Sequence, residues 1–179
     1  MKDLTESASV QVASGLKVTQ TEQWLAPAYF RQDDVLPFGK VATYSDGKTG
    51  WEVTPQASGP LPPAEAQQIG LESFRMWFPL MLSDRDPDRI VTAEGNAKIR
   101  ISDKSGHSVL LALDPATGLP ASEAYGNEEE IYADWRETNG VKLPWKITVS
   151  QGGQTAAGVT VTDIKLNQGL TPEQLSKKP

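Results

Sequence analysis
The chain has 179 residues, enough for one domain with a substantial core, and its 38% hydrophobic and 22% charged content is that of a globular protein rather than a disordered one. A net charge of −6 argues against a nucleic-acid partner or an anionic membrane surface, and no apolar run approaches the roughly 18 residues of a membrane span. The absence of cysteine removes disulfides, thiolate metal sites and cysteine nucleophiles.

The chain starts abruptly, close to strand-like sequence, so residues 1–179 are expected to be a single domain excised from a longer chain or trimmed at its N-terminus. Val10, Val12, Leu16 and Val18 alternate with polar or small residues and predict one long half-buried strand, with a bulge or bend at Gly15. Trp24, Ala26, Ala28 and Phe30 predict a second, in which Pro27 marks an edge or a local break. Residues 38–44 predict a third, ended by Ser45-Asp46-Gly47, and Trp51 and Val53 carry a fourth. Residues 55–63 hold four prolines and one glycine and read as an ordered loop or rigid connector.

The one convincing helix starts at Pro62-Pro63-Ala64-Glu65, with proline tolerated in the first turn and an acid favoured there. Ile69, Phe74, Trp77, Phe78, Met81 and Leu82 give it a broad apolar face, and Pro79 should kink or end it. A charged exit, residues 83–88, leads to strands at 90–93 and 97–101 and a Ser105-Gly106 turn.

Residues 110–149 write out their turns most clearly. Asp114-Pro115-Ala116-Thr117-Gly118 is a turn with an Asp acceptor, a proline that presets φ and a glycine that permits positive φ. Ile131, Ala133 and Trp135 alternate with Tyr132, Asp134 and Arg136, and Asn139-Gly140 is a strong hairpin signal before Val141, Leu143, Trp145, Ile147 and Val149. A last strand passes through Ala157, Val159 and Val161 to Leu166, and Thr171-Pro172-Glu173-Gln174 caps a short helical tail. The expected class is α+β: a large curved antiparallel β-sheet, a half-open barrel of about nine to eleven strands, with a covering helix.

Chemistry is sparse. His107, the single histidine, reads as a solvated hairpin residue, and no G-x-S-x-G elbow offers a serine nucleophile. Asp84, Asp86 and Asp88 share the opening spacing of a calcium loop, but Pro87 and the missing glycine and distal glutamate favour a solvated helix exit. Glu128-Glu129-Glu130 reads as a charged strand edge or hairpin tip. No catalytic residue, metal ligand or cofactor is expected. The aromatic inventory is more informative. Trp24, Phe30, Trp51, Phe74, Trp77, Phe78 and Trp135, with Met81 and Ile131, sit where they can face between helix and sheet. They build either an ordinary core or the lining of a cavity for an apolar ligand, since filled and hollow barrels share the same alternation.

The order of L-D-P-A-T-G-L-P, Y-A-D-W-R-E-T-N-G-V-K-L-P-W-K-I and L-N-Q-G-L-T-P-E-Q-L, with T-Y-S-D-G-K-T-G-W upstream, resembles the LolA/LolB-type outer-membrane lipoprotein-sorting superfamily. The runs P-F-G-K and F-R-x-W-F-P-L-x-L-S-D-R-D-P look like the non-catalytic domain found C-terminal to insulinase-type metallopeptidase domains in some bacteria. The resemblance implies a half-open barrel with helices over its mouth and a periplasmic location. It implies a non-catalytic binding domain that holds a hydrophobic ligand, a lipid or a lipoprotein acyl chain, between sheet and helix. The alternative is a structural or interaction domain with a filled core, appended to peptidase domains in the same chain. The long N-terminal helix usual in the superfamily is absent or truncated.

Overall fold
A computed structural model describes residues 2–179, the side chains of Gln67 and Phe78 excepted. Strands β1 (Asp3–Val12), β2 (Lys17–Leu25), β3 (Tyr29–Leu36), β4 (Gly39–Ser45), β5 (Gly50–Val53) and β6 (Ser58–Pro60) meander outward in chain order. Helices α1 (Pro63–Arg75) and α2 (Trp77–Met81) and a 3-10 turn at Ser83–Arg85 then carry the chain to the far edge. Strands β7 (Arg89–Ala93), β8 (Lys98–Asp103), β9 (Ser108–Leu113), β10 (Pro120–Tyr125), β11 (Glu128–Thr138), β12 (Val141–Gln151) and β13 (Gln154–Leu166) meander back until β13 pairs with β1. All thirteen form one antiparallel, curved and unclosed sheet with β6 and β7 as its edges. The single long connection therefore bridges the two open edges, which sets α1 and α2 across the inner face. This is the expected half-open barrel with a covering helix, carrying more strands than the nine to eleven counted from periodicity.

The extra strands have local causes. The strand expected through residues 10–18 is the β1–β2 hairpin: Gly15 has φ +91, a value glycine adopts freely, and the alternation simply continues beyond the turn. The strand expected from Trp24 to Phe30 is likewise β2 and β3 on either side of a cis Ala26–Pro27 bond. Residues 58–60 of the proline-rich connector pair with β5 as a three-residue edge strand. Asn139 and Gly140, at φ +51 and +79, form the expected two-residue hairpin loop.

The helix breaks at Met76 (φ −46, ψ 131), three residues before Pro79. A proline ring clashes with the carbonyl four residues earlier, here that of Arg75, and leaving helical geometry at Met76 removes the clash. Pro79 then sits inside the first turn of α2.

Three apolar clusters hold the layers. Leu71 and Phe74 of α1 and Leu80 of α2 pack with Ile101, Val109 and Leu111 of β8 and β9. Leu4, Trp24, Leu143, Val161, Ile164 and Leu166 cover the central strands beneath Met76 and Trp77. The third cluster, Ala42, Tyr44, Trp51 and Leu175, involves the C-terminal α3 (Pro172–Ser176), whose Thr171 and Gln174 form the expected capping box. Buried Asp3 accepts the backbone N–H groups of Gln168 (2.7 Å) and Gly169 (3.0 Å) and anchors the segment leading to α3.

Candidate functional site
Between α1 and the central strands lies a cavity of about 330 Å³. Its aliphatic wall comes from Leu4 and Val10 of β1, Leu143, Ile147 and Val149 of β12, and Ala157 and Val159 of β13. Met76, Trp77 and Tyr132 cover it on the helix side and along β11. A second chamber of about 350 Å³ opens beyond Met76, Glu22 and Glu72, which both share, and reaches Phe30, Gln32, Thr43 and Ile69.

The same walls carry an unusual charge. Glu6 on β1 and Glu22 on β2 are direct cross-strand partners, and both line the first chamber with Glu72, Arg75 and Glu130. Antiparallel partners share one face of a sheet, and like charges placed so are unfavourable. No hydrogen-bond or ion-pair partner is found for Glu6 or Glu22 among the described residues. Burial, reinforced by Glu130, raises the Glu6 carboxyl to about 7. Burial, reinforced by Glu6, Glu72, Glu130 and Asp34, raises Glu22 to about 8. Burial and like charge thus favour the protonated form of carboxyls that would be ionised in water at neutral pH.

Beside them a single guanidinium serves several acids. Arg75 of α1 lies 2.5 Å from Glu123, 2.6 Å from Glu128 and 2.8 Å from Glu130, with Glu72 at 3.8 Å. Burial opposes its charge, but Glu130, Glu123 and Glu72 outweigh burial and push its pKa up, so it stays a cation. It cannot neutralise four carboxylates: burial raises Glu123 and Glu130 despite Arg75. The Tyr132 hydroxyl lies 3.2 Å from Glu123 and 3.1 Å from Glu130 and has one proton to donate. Its second contact is therefore a hydrogen bond only when one of those carboxyls is protonated.

The residues expected at the site fall into three groups. Trp77 lines the first chamber and Phe30 the second. Trp77 also meets Tyr132 edge-on at 5.1 Å and Trp135 at 5.2 Å. Asp134 at φ +55 interrupts the alternation of β11, so Tyr132 and Trp135, three residues apart, reach one ring. Trp24 belongs to the packed cluster of central strands, and Phe74 and Met81 to the cluster over β8 and β9. Trp51 stacks on Tyr44 at 5.7 Å and donates Nε1–H to the Ser176 carbonyl at 3.0 Å. Tyr44 alternates with Thr43, which lines the second chamber, so Trp51 faces outward beneath α3. Ile131 is 45% exposed, and its neighbour Tyr132 faces the cavity instead. The side chain of Phe78 lies outside the described residues.

Sequence reading missed the carboxylates. Glu128 stands at the β10–β11 hairpin turn, paired with Tyr125, as the hairpin-tip reading expects, but β11 is an interior strand and not an edge, and Glu128 and Glu130 turn inward to Arg75. A signal was available: Glu6 is in phase with Leu4, Ala8 and Val10, and Glu22 with Trp24, so each acid occupies an apolar face. His107 keeps to the β8–β9 turn, its Nδ1 2.7 Å from Asp103. Asp86 and Asp88 pair with Arg89 and Lys104.

No family model matches the sequence, and no curated protein matches it significantly. Solved structures do. A LolA superfamily protein from Nitrosomonas europaea superposes with a TM-score of 0.62 at 13% identity, covering 99% of this chain and 90% of that one. A Vibrio parahaemolyticus domain assigned to outer membrane lipoprotein sorting gives 0.57 at 10% identity, covering 97% and 89%. A DUF1329 family protein from Desulfovibrio piger gives 0.60 at 10% identity, covering 97% and 91%. At these identities the shared property is the fold. Among the described residues no helix is long and apolar enough to cross a membrane.

Proposed function
We propose that this domain is a non-catalytic binding module that holds a hydrophobic ligand, a lipid or the acyl chain of a lipidated partner, between its curved sheet and α1. The observation that carries this reading is the hollow interior. A cavity of about 330 Å³ with a mostly aliphatic wall reaches the size of ordinary small-molecule sites, and a second chamber adjoins it. The likeness to a lipoprotein-sorting domain and to a LolA superfamily protein supports the same reading and a periplasmic setting. A filled-core interaction domain attached to a peptidase would leave the space between Val10, Ile147 and Val159 without purpose.

The test is titration with the uncharged fluorophore N-phenyl-1-naphthylamine. Saturable enhancement at one equivalent, displaced by long-chain alcohols, is the expected result. Val159→Trp, which fills the cavity, should abolish it without lowering the yield of folded protein. Enhancement that is unsaturable, or unchanged in Val159→Trp, would place the dye elsewhere and refute the proposal.

A further inference from the structure
The geometry points to a ligand with a cationic ammonium head and an apolar tail, its head received between Glu6 and Glu22 and its tail by Val10, Ile147, Val149, Ala157 and Val159. This rests on the binding function proposed above and adds the ligand's charge.

Three observations carry it. First, the polar and apolar ends of the cavity are separated by register. Glu6 faces Glu22, whereas four residues further along β1 Val10 faces Val159, itself the partner of Ile147. Four residues of strand span about 13 Å, comparable to an extended decyl chain. Second, Glu6 and Glu22 have no partner among the described residues, although both lie inside the fold and turn their remaining surface to the cavity. Directly opposed carboxylates in such a place are unfavourable until something positive lies between them or a proton is retained. Third, the neighbouring cation is already committed: Arg75 points its three nitrogens at Glu123, Glu128 and Glu130. An anionic head would meet an excess of carboxylates there, and an uncharged head would leave the opposed pair dependent on retained protons. A metal ion is the other cation to weigh, but no group of three or more candidate ligands converges among the described residues. The opposed Glu6–Glu22 pair suffices for an organic ammonium, which donates up to three hydrogen bonds and brings the tail that the aliphatic wall accommodates.

Proton linkage gives the inference a second readout. The groups facing Glu22 are Glu6 from β1, Asp34 from β3, Glu72 and Arg75 from α1, and Glu130 and Tyr132 from β11. An ammonium placed among them favours the ionised carboxyls, so binding near pH 7 should release protons.

The experiment compares decylamine, decanol and decanoate as competitors of N-phenyl-1-naphthylamine at pH 7, below their micelle concentrations, on the whole chain and on Glu6→Gln/Glu22→Gln. Decylamine should displace the dye at a concentration at least 10-fold lower than decanol, with decanoate weakest. The doubly substituted protein should lose that preference and keep its affinity for decanol. Calorimetry in two buffers of different ionisation enthalpy should show protons released with decylamine and none with decanol. Equal competition by decylamine and decanol, tightest binding by decanoate, or a preference that survives both substitutions would each overturn the ammonium head. Displacement by none of the three would instead refute the binding function itself.

Discussion
The two flanks of the inner face are built from the same alternating strands yet end in opposite states. Over β8 and β9 the helices are packed dry: Leu80 is 1% exposed, and Val109 is fully buried. Over β1, β2, β12 and β13 the same helix layer stands off the sheet and leaves a chamber walled by aliphatic residues and carboxylates. The packed flank fixes the height of α1 above the sheet, and the small side chains Ala157 and Val159 leave the other flank unfilled. Arg75 stands at the boundary. Its alkyl stem and guanidinium, only 7% exposed, separate the dry cluster from the acidic cavity. One flank supplies stability, and the other keeps a space at some cost in stability.

Substitutions at the boundary and on each flank should separate these roles. The largest effect is expected at Arg75. Arg75→Met leaves Glu123, whose side chain is 1% exposed, without its cation and should destabilise the protein by about 3–5 kcal/mol at pH 8. The loss should shrink near pH 5, where carboxyls with raised pKa are protonated, and Glu123→Gln should rescue part of it. Urea unfolding at the two pH values reads both. On the dry flank, Leu80→Ala should cost about 2–4 kcal/mol, with dye affinity per folded molecule unchanged. A change in affinity would mean that the two flanks are not independent.

On the hollow flank the sign reverses. Glu22 has a native pKa of about 8 against an ordinary 4.5. Burial and the neighbouring acids penalise only its ionised form, so the stability of the protonated form is complete below pH 4.5 and is lost as pH rises through 8. Glu22→Gln should therefore raise stability at pH 8 by on the order of 1–2 kcal/mol and leave it unchanged near pH 4. A loss of stability at pH 8 would show that the Glu22 carboxylate is satisfied within the fold. The smallest effect is expected on the outer face. Trp51→Phe forfeits the hydrogen bond to Ser176 and should cost about 1 kcal/mol with no effect on dye binding.

Much of the wall was legible because turns are local chemistry. Asp114 accepts the N–H groups of Ala116 (2.8 Å) and Thr117 (2.9 Å), as its turn sequence predicts, and the Asn139-Gly140 loop and the Thr171 cap stand where their residues place them. Hairpins that keep the alternation in phase, as at Gly15, do not announce themselves, which is why thirteen strands read as fewer. The site was less legible for a different reason. Aromatic rings identify a face only when the phase of their strand is known, and Trp51 lies on the outer face while Ile131 yields the inner one to Tyr132. The inner carboxylates go against the expectation that acids on a half-buried strand point to water. Glu22 and Glu130 come within electrostatic reach only when the sheet curls around α1, since β2 and β11 are more than a hundred residues apart in sequence and separated by β1, β13 and β12.

The most direct measurement is quenching of tryptophan fluorescence by a brominated decyl chain. Trp77 lines the chamber, whereas Trp51 lies on the opposite face beneath α3. Saturable quenching that is largely lost in Trp77→Phe and retained in Trp51→Phe is the predicted result. Quenching unaffected by Trp77→Phe, or lost in Trp51→Phe, would contradict a ligand chamber between α1 and the central strands.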